Sequence, residues 1–158
     1  MSYNPNDTHS KLIGYILWIF GFTGAHRFYY GKVKTGILWF CAVWVWAVLA
    51  ILMFFGIEGF LIWAGLGCVM LFFWILDLFL IPAMDREADR RFVAGPNDYT
   101  VAWLLLAFLG VFGAHRFYLG KWITAILYFF SGGLFGFGLL YDLCTLNGQV
   151  DNLNRGRS

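Results

Sequence analysis

The sequence predicts an all-α membrane protein, a polytopic helical bundle whose five hydrophobic segments come from two diverged repeats. Three observations carry this expectation. Hydrophobic residues make up 61% of the chain and charged residues 13%, against about 45–50% and about 25% in a soluble domain. The apolar residues gather in long uncharged runs, and mean hydropathy is +0.71. One phrase also occurs twice, G-F-T-G-A-H-R-F-Y-Y-G-K at residues 21–32 and G-V-F-G-A-H-R-F-Y-L-G-K at residues 110–121, each directly after a short apolar run. The copies lie 89 positions apart, so the chain is an internal duplication.

Residues 1–10 are polar and, with Pro5, Asp7, Thr8 and Ser10, form a tail that ends in helix-capping residues. Hydrophobic segments follow at 12–25, 35–57, 59–81, 99–114 and 122–146, with Glu58 dividing the second from the third. A crossing helix needs about 20 residues for a hydrocarbon core of about 30 Å. The second, third and fifth segments meet that length. The first and fourth are short and cross only where flanking residues snorkel or the bilayer thins. Alternating ten-residue stretches, the signature of a membrane β-barrel, are missing. Lys11, the apolar run after it and the small residues Thr23 and Ala25 have the outline of a signal peptide. The same run and motif recur at 101–121, where no leader sits, so the first run is read as mature structure.

The repeats divide as residues 11–85 and 99–148, joined by a polar linker at 86–98, with breakers Gly95 and Pro96. Their offset is 89 at the motif. It falls to 65 between W-I-L-D-L-F-L, which holds Asp77, and L-L-Y-D-L-C-T, which holds Asp142. The first repeat therefore carries 24 extra residues, about 36 Å of helix, which matches one extra transmembrane helix near Glu58. With five crossings the second repeat is inverted relative to the first. Arg27, Lys32, Lys34, Arg86, Arg90, Arg91, Arg155 and Arg157 then face one side, and Lys11, Arg116 and Lys121 the other. Cytoplasmic loops are enriched in Lys and Arg, so this model puts the linker and C-terminus in the cytoplasm and the N-terminus outside. A rival model makes the first and fourth segments re-entrant, leaving three crossings with the N-terminus inside and the C-terminal tail outside.

The motif G-x-x-G-A-H-R-F-Y-x-G-K after a short apolar helix, followed by a helix closing on W-x-x-D-L-F-L, resembles the TM-two domain, a pair of transmembrane helices joined by a short loop. The chain is similar to two such domains in tandem. The second departs in lacking the Trp that the first has at Trp74. The resemblance implies an integral membrane protein and no particular chemistry. The expected location is the plasma (inner) membrane.

Residue by residue, the motif suits a membrane interface. Gly21 and Gly24, like Gly110 and Gly113, permit a sharp bend. His26, Arg27, His115 and Arg116 put polar groups at the hydrocarbon edge. Phe28 and Tyr29, with Phe117 and Tyr118, have the apolar body and, for the tyrosines, the wet tip of an interfacial belt. Gly31 and Gly120 suit a left-handed turn, and Lys32 and Lys121 snorkel. The plain reading is an anchor, and a sharper one is recognition of a lipid headgroup phosphate. Metal binding by His26 and His115 lacks partners at ligand spacing, so no metal or other cofactor is expected.

Asp77 and Asp142 are costly inside apolar segments and call for partners. Five crossings allow an Asp77–Arg27 pair, forbid its Asp142–Arg116 counterpart, and leave Glu58 to meet Arg116 or Lys121. In the linker Glu87 and Arg91 stand at i,i+4. Cys41, Cys68 and Cys144 have no paired spacing and read as inert thiols. Catalytic motifs are absent, and a net charge of +2 gives no nucleic-acid footprint. The expected role is a non-catalytic structural or interaction module. Its partners are membrane lipids, then other membrane proteins or further copies of the chain. The alternative is a small transporter or channel subunit using Asp77 and Asp142.

Overall fold

The computed structural model describes residues 7–20, 23–56 and 58–156. Among these described residues eight α-helices follow one another: α1 (Lys11–Phe20), α2 (Ala25–Tyr29), α3 (Val33–Phe54), α4 (Phe60–Arg91), α5 (Tyr99–Leu109), α6 (Ala114–Tyr118), α7 (Trp122–Phe135) and α8 (Phe137–Arg155). A single 3₁₀ turn, Gly110–Phe112, links α5 to α6. Among the described residues there is no strand. The expected Gly21–Gly24 spacing, Pro5 and Arg157 fall outside the described residues.

Each repeat is two successive hairpins. In the first repeat α1 descends from Lys11, whose ammonium lies 3.7 Å from Asp85, to Trp18, whose ring stacks on Trp74 at 4.0 Å. The chain reverses at Gly24, with φ at +79°, and α2 climbs back until Tyr29 Oη accepts a hydrogen bond from the Ser10 amide at 2.7 Å. The second repeat does the same. Gly113 takes φ +72°, and the Cβ of any other residue there would sit 2.9 Å from the Ala125 carbonyl oxygen, so glycine is required on both counts. Tyr118 Oη then accepts from the Asp98 amide at 2.7 Å, and the Asp98 carboxylate caps α5 through the amides of Thr100 and Val101.

The second hairpins differ in length. Among the described residues helices α3 and α4 are each long and apolar enough to cross a bilayer, with mean hydropathies of 2.5 and 2.3. The expected single crossing at 122–146 is instead α7 and α8, bent by 118° at a break around Gly136. Backbone from Gly132 to Gly136 is left-handed throughout, including Leu134 and Phe135. Ser131 Oγ accepts from the Leu134 amide and the Gly133 carbonyl from the Gly136 amide, which closes the turn on itself.

Two described helices, or three if the bent pair is one span, are long and apolar enough to cross, so the five-crossing expectation is not borne out. The Arg116–Asp142 contact removes the inverted repeat drawn from it. Motif and carboxylate are 51 positions apart in the first repeat, His26 to Asp77, and 27 in the second, His115 to Asp142. The 24 extra residues are shared between the two arms of the α3–α4 hairpin, about 12 in each, which lengthens that hairpin by ~18 Å. Both repeats thus begin and end on the same face. Among the described residues all Lys and Arg lie on that face, and Glu58, exposed at the far turn, does not meet Arg116 or Lys121. The charged end of the first repeat is helical to Arg91. There Glu87 pairs with Lys32 at 2.6 Å and not with Arg91, whose guanidinium donates to the Gly31 carbonyl.

The core sits between the repeats on this face. Phe28, Tyr29 and Tyr30 from the first pack with Ile81 and Met84, and with Tyr99, Trp103, Leu106, Leu119, Leu146 and Val150. Asn147 joins the halves: its amide donates to the carbonyls of Phe28 and Tyr29 and accepts from the Trp103 indole at 2.6 Å.

Cysteine accessibility tests the topology. In a chain whose native cysteines are replaced by alanine, Arg86→Cys and Lys121→Cys label with an impermeant maleimide from one side of sealed vesicles and Glu58→Cys from the other. Labelling of Lys121→Cys together with Glu58→Cys restores the inverted arrangement.

Candidate functional site

The motif heads converge on the two carboxylates. In the first repeat the Asp77 carboxylate accepts from His26 Nε2–H at 2.9 Å and from Arg27 Nε and Nη2 at 2.8 and 2.6 Å. In the second, the Asp142 carboxylate accepts from His115 Nε2–H at 2.7 Å and from Arg116 Nε and Nη2 at 2.9 and 2.8 Å. The guanidinium meets the carboxylate in the two-pronged geometry that suits arginine and not lysine. Both carboxylates and both imidazoles have no solvent exposure. Nδ1 of each imidazole is buried without a hydrogen-bond partner among the described residues.

The Arg116–Asp142 pair corrects the expectation that no such pair forms. Two crossings back and forth return Asp77 to the level of Arg27, and the half-length hairpin α7–α8 returns Asp142 to the level of Arg116 in the same way. A partner is needed in both places because an unpaired carboxylate in an apolar helix costs several kcal/mol. Local backbone repeats too: Gly31 and Gly120 have φ of +73° and +74°, and Thr35 and Thr124 donate back to the carbonyls of Lys32 and Lys121.

The surroundings of the two clamps differ. Arg116 lies 4.1 Å from the centroid of the Tyr128 ring and donates to its hydroxyl, and that hydroxyl donates to Asp142 at 2.7 Å. Gln149 adds a bond to Asp142 at 3.2 Å. In the first repeat the position of Tyr128 is taken by Trp39, over which Arg27 lies at 5.4 Å. The position of Gln149 is taken by Met84. Among the described residues Asp142 is therefore the more completely bonded of the two. Tyr128 and Gln149 were not legible as site residues, because aromatic and amide side chains on hydrophobic helices carry no signal until the hairpin brings them to the carboxylate.

The rest of the motif divides between core and surface. Phe28, Tyr29 and Gly31 are buried, and the Tyr29 hydroxyl also bonds Thr100 of the second repeat at 2.8 Å. Phe117 and Tyr118 are half-buried, while Gly120, Lys121 and Trp122 are exposed. Lys32 and Lys121 bond Glu87 and Gln149. Partial desolvation and the neighbouring Arg116 charge hold the Lys121 ammonium below the ordinary lysine pKa.

The N-terminal segment closes over the first motif. His9 is 6% exposed and is ringed by Tyr29, Tyr30, Phe92 and Tyr99 at centroid distances of 4.8 to 6.0 Å. Asp89 accepts from the amides of Thr8 and His9 and from the Thr8 hydroxyl. Burial pulls the His9 pKa down to about 4, against the opposing pull of the Asp89 charge.

Residues 7–64 and 95–144, together more than half of the chain, match the family model described as the TM2 domain. Three TM2 domain-containing proteins of Dictyostelium discoideum are similar to this chain. One is 44% identical over 37% of each chain. The second is 48% identical over 33% of this chain and 38% of its own length. The third is 43% identical over 34% and 35%. The chain thus spans little more than a third of the length of these relatives. No solved structure matches it.

Two predictions follow from this geometry. Removing one partner of a buried pair strands the other, so Asp142→Ala lowers stability by about 3–5 kcal/mol. Asp77→Ala, which strands a less fully bonded clamp, lowers it by less. Thermal unfolding in detergent, read by tryptophan fluorescence, ranks the two variants. His9 supplies a pH dependence. The unfolded chain, with an ordinary pKa near 6.5, takes up a proton that the folded chain refuses until about pH 4. Stability present above pH 6.5 is lost as pH falls to about 4, by up to about 3 kcal/mol. His9→Phe flattens that part of the stability profile.

Proposed function

The chain belongs to the TM2 domain family, and from that premise we propose that it is a non-catalytic structural and interaction module of the membrane. The observation that supports this reading is that both intramembrane carboxylates are enclosed by their own motif's imidazole and guanidinium. A carboxylate that relays protons or coordinates ions needs a path to water, and Asp77 and Asp142 have no exposed surface. The clamps act instead as fasteners that fold each repeat back on itself.

The partners in this reading are membrane lipids, joined by other membrane proteins or a second copy. Large apolar side chains on α3 and α4, among them Leu38, Phe54, Leu61 and Phe79, are exposed along both helices. Between those helices an apolar cleft of about 470 Å³ is lined by Trp39, Trp46, Trp63 and Trp74. Headgroup contacts fall to the exposed rim of the second motif, Lys121 and Trp122 with Phe117 and Tyr118, and the first motif contributes Lys32. The proposed location is the plasma (inner) membrane. Gathering of Lys and Arg on the motif face supports a cytoplasmic orientation for that face and for the described ends of the chain.

Reconstitution tests the reading. Liposomes holding the full chain show no ion or small-solute flux above protein-free liposomes. Photo-crosslinking from Leu61 or Phe79 positions in native membranes captures lipid or protein neighbours. Flux that disappears in Asp77→Asn or Asp142→Asn overturns the proposal in favour of a transporter or channel subunit.

A further inference from the structure

The two halves of the membrane receive very different amounts of this protein. The level of Lys32 and Lys121, where both motifs end and α3 and α7 begin, serves as a common depth mark. From it α3 runs 22 residues, about 33 Å, and reaches the opposite surface. Helix α7 leaves helical geometry after Ser131, ten residues or about 15 Å deep, and α8 returns. Helix α1 is ten residues long and ends two residues past the Trp18–Trp74 stack, which lies eight residues before Pro82 or about 12 Å from that end of the apolar stretch. Helix α5 with its 3₁₀ turn reverses at Gly113. The near half of the bilayer therefore holds α1, α3, α4, α5, α7 and α8 together with the two short motif helices. The far half holds α3 and α4.

The tips of the half-depth hairpins are dressed for hydrocarbon. Phe130, Phe135 and Phe137 at the α7–α8 turn are 82%, 87% and 77% exposed, and Phe108 and Phe112 at the α5 turn are exposed as well. Such tips cannot rest in water or among headgroups without leaving large aromatic surface wet. At the other end, Lys34, Arg86, Arg90 and Arg91 are exposed on the motif face, where they hold that face at the headgroup layer. Depth is thus fixed from both ends, and the extra cross-section lies in one leaflet.

We infer that the protein is a wedge for the leaflet on its motif side, and that it concentrates in, and stabilises, membranes that are convex toward that side. The physical reason is area mismatch. Material inserted into one leaflet expands it relative to the other, and bending toward the expanded leaflet relieves the difference. The ligand in this sense is a lipid surface of given curvature, which goes beyond the interaction role proposed above and does not depend on any protein partner.

Membrane tubes pulled from giant phosphatidylcholine–phosphatidylserine vesicles test it. The full chain, fluorescently labelled at an added C-terminal tag, is reconstituted and its orientation scored by impermeant quenching of that label. With the motif face outward, protein density in the tube exceeds that in the parent vesicle by about two-fold or more. With that face inward, the tube is depleted. Equal density in both orientations, or enrichment regardless of orientation, overturns the inference. A second variant separates the wedge from general membrane affinity. Replacing the turn 132–136 by residues 43–71 of the first repeat, 29 residues for five and so the 24 that separate the repeats, makes both hairpins span the bilayer, and it reduces the orientation-dependent sorting. Sorting by the intact chain decides the matter even where that variant does not fold.

Discussion

The buried clamp of a carboxylate by the histidine and arginine of the motif is the contact on which the rest of this protein is built. A carboxylate on an apolar helix demands a cation, and the guanidinium that supplies it stands in the chain just before the helix pair that carries the carboxylate. Satisfying the pair requires the chain to return to its starting level before Asp77 or Asp142 arrives. The clamp therefore imposes a hairpin whatever the hairpin's length. It also puts the start and end of each repeat on one face of the bundle, which is what lets the two repeats meet there.

The paired repeats are a natural comparison of how one clamp tolerates two settings. The backbone of the motif is nearly superimposable in its turn angles, and the two-pronged contact to the carboxylate is kept. Around Asp142 the polar partners include Tyr128 and Gln149, while the aligned positions of the first repeat are Trp39, over which Arg27 lies, and Met84. The second hairpin is short, with a left-handed turn whose Leu134 and Phe135 adopt backbone angles that cost energy outside glycine. The more fully bonded clamp thus sits at the base of the more strained hairpin. The first hairpin has full-length helices that pack along one another, and stacking of Trp46 on Trp63 and of Trp18 on Trp74 supports it away from the clamp.

Contact between repeats comes almost wholly from the motif face. Tyr29 is the hinge of this arrangement, since its hydroxyl ties the start of α1 to Thr100 of α5 while its carbonyl is held by Asn147 of α8. The same side chains that read as an interfacial belt are, in the first copy, the inner wall of the shared core, while in the second copy Phe117 and Tyr118 are only half-buried. The two copies of one motif thus differ in burial, with the clamp kept in both.

Much of this was legible from residues alone. The repeated motif marked the duplication and the family. The apolar runs marked which segments avoid water, and the isolation of Asp77 predicted its pairing with Arg27. Hydropathy measures whether a segment avoids water and is silent on whether it turns back, so the number of crossings was decided only in three dimensions. The 24 extra residues match one bilayer crossing in length, and they match equally well two extensions of 12, one per arm. Gly132, Gly133 and Gly136 stood in the sequence as the signal for the turn, but glycine is common in membrane helices and a left-handed run is selected only when tertiary bonding rewards it. That reward is the Arg116–Asp142 clamp. The sequence alone determined which groups had to be paired, and the tertiary structure decided where the chain reverses to pair them, because a long-range ion pair depends on chain direction and not on local propensity.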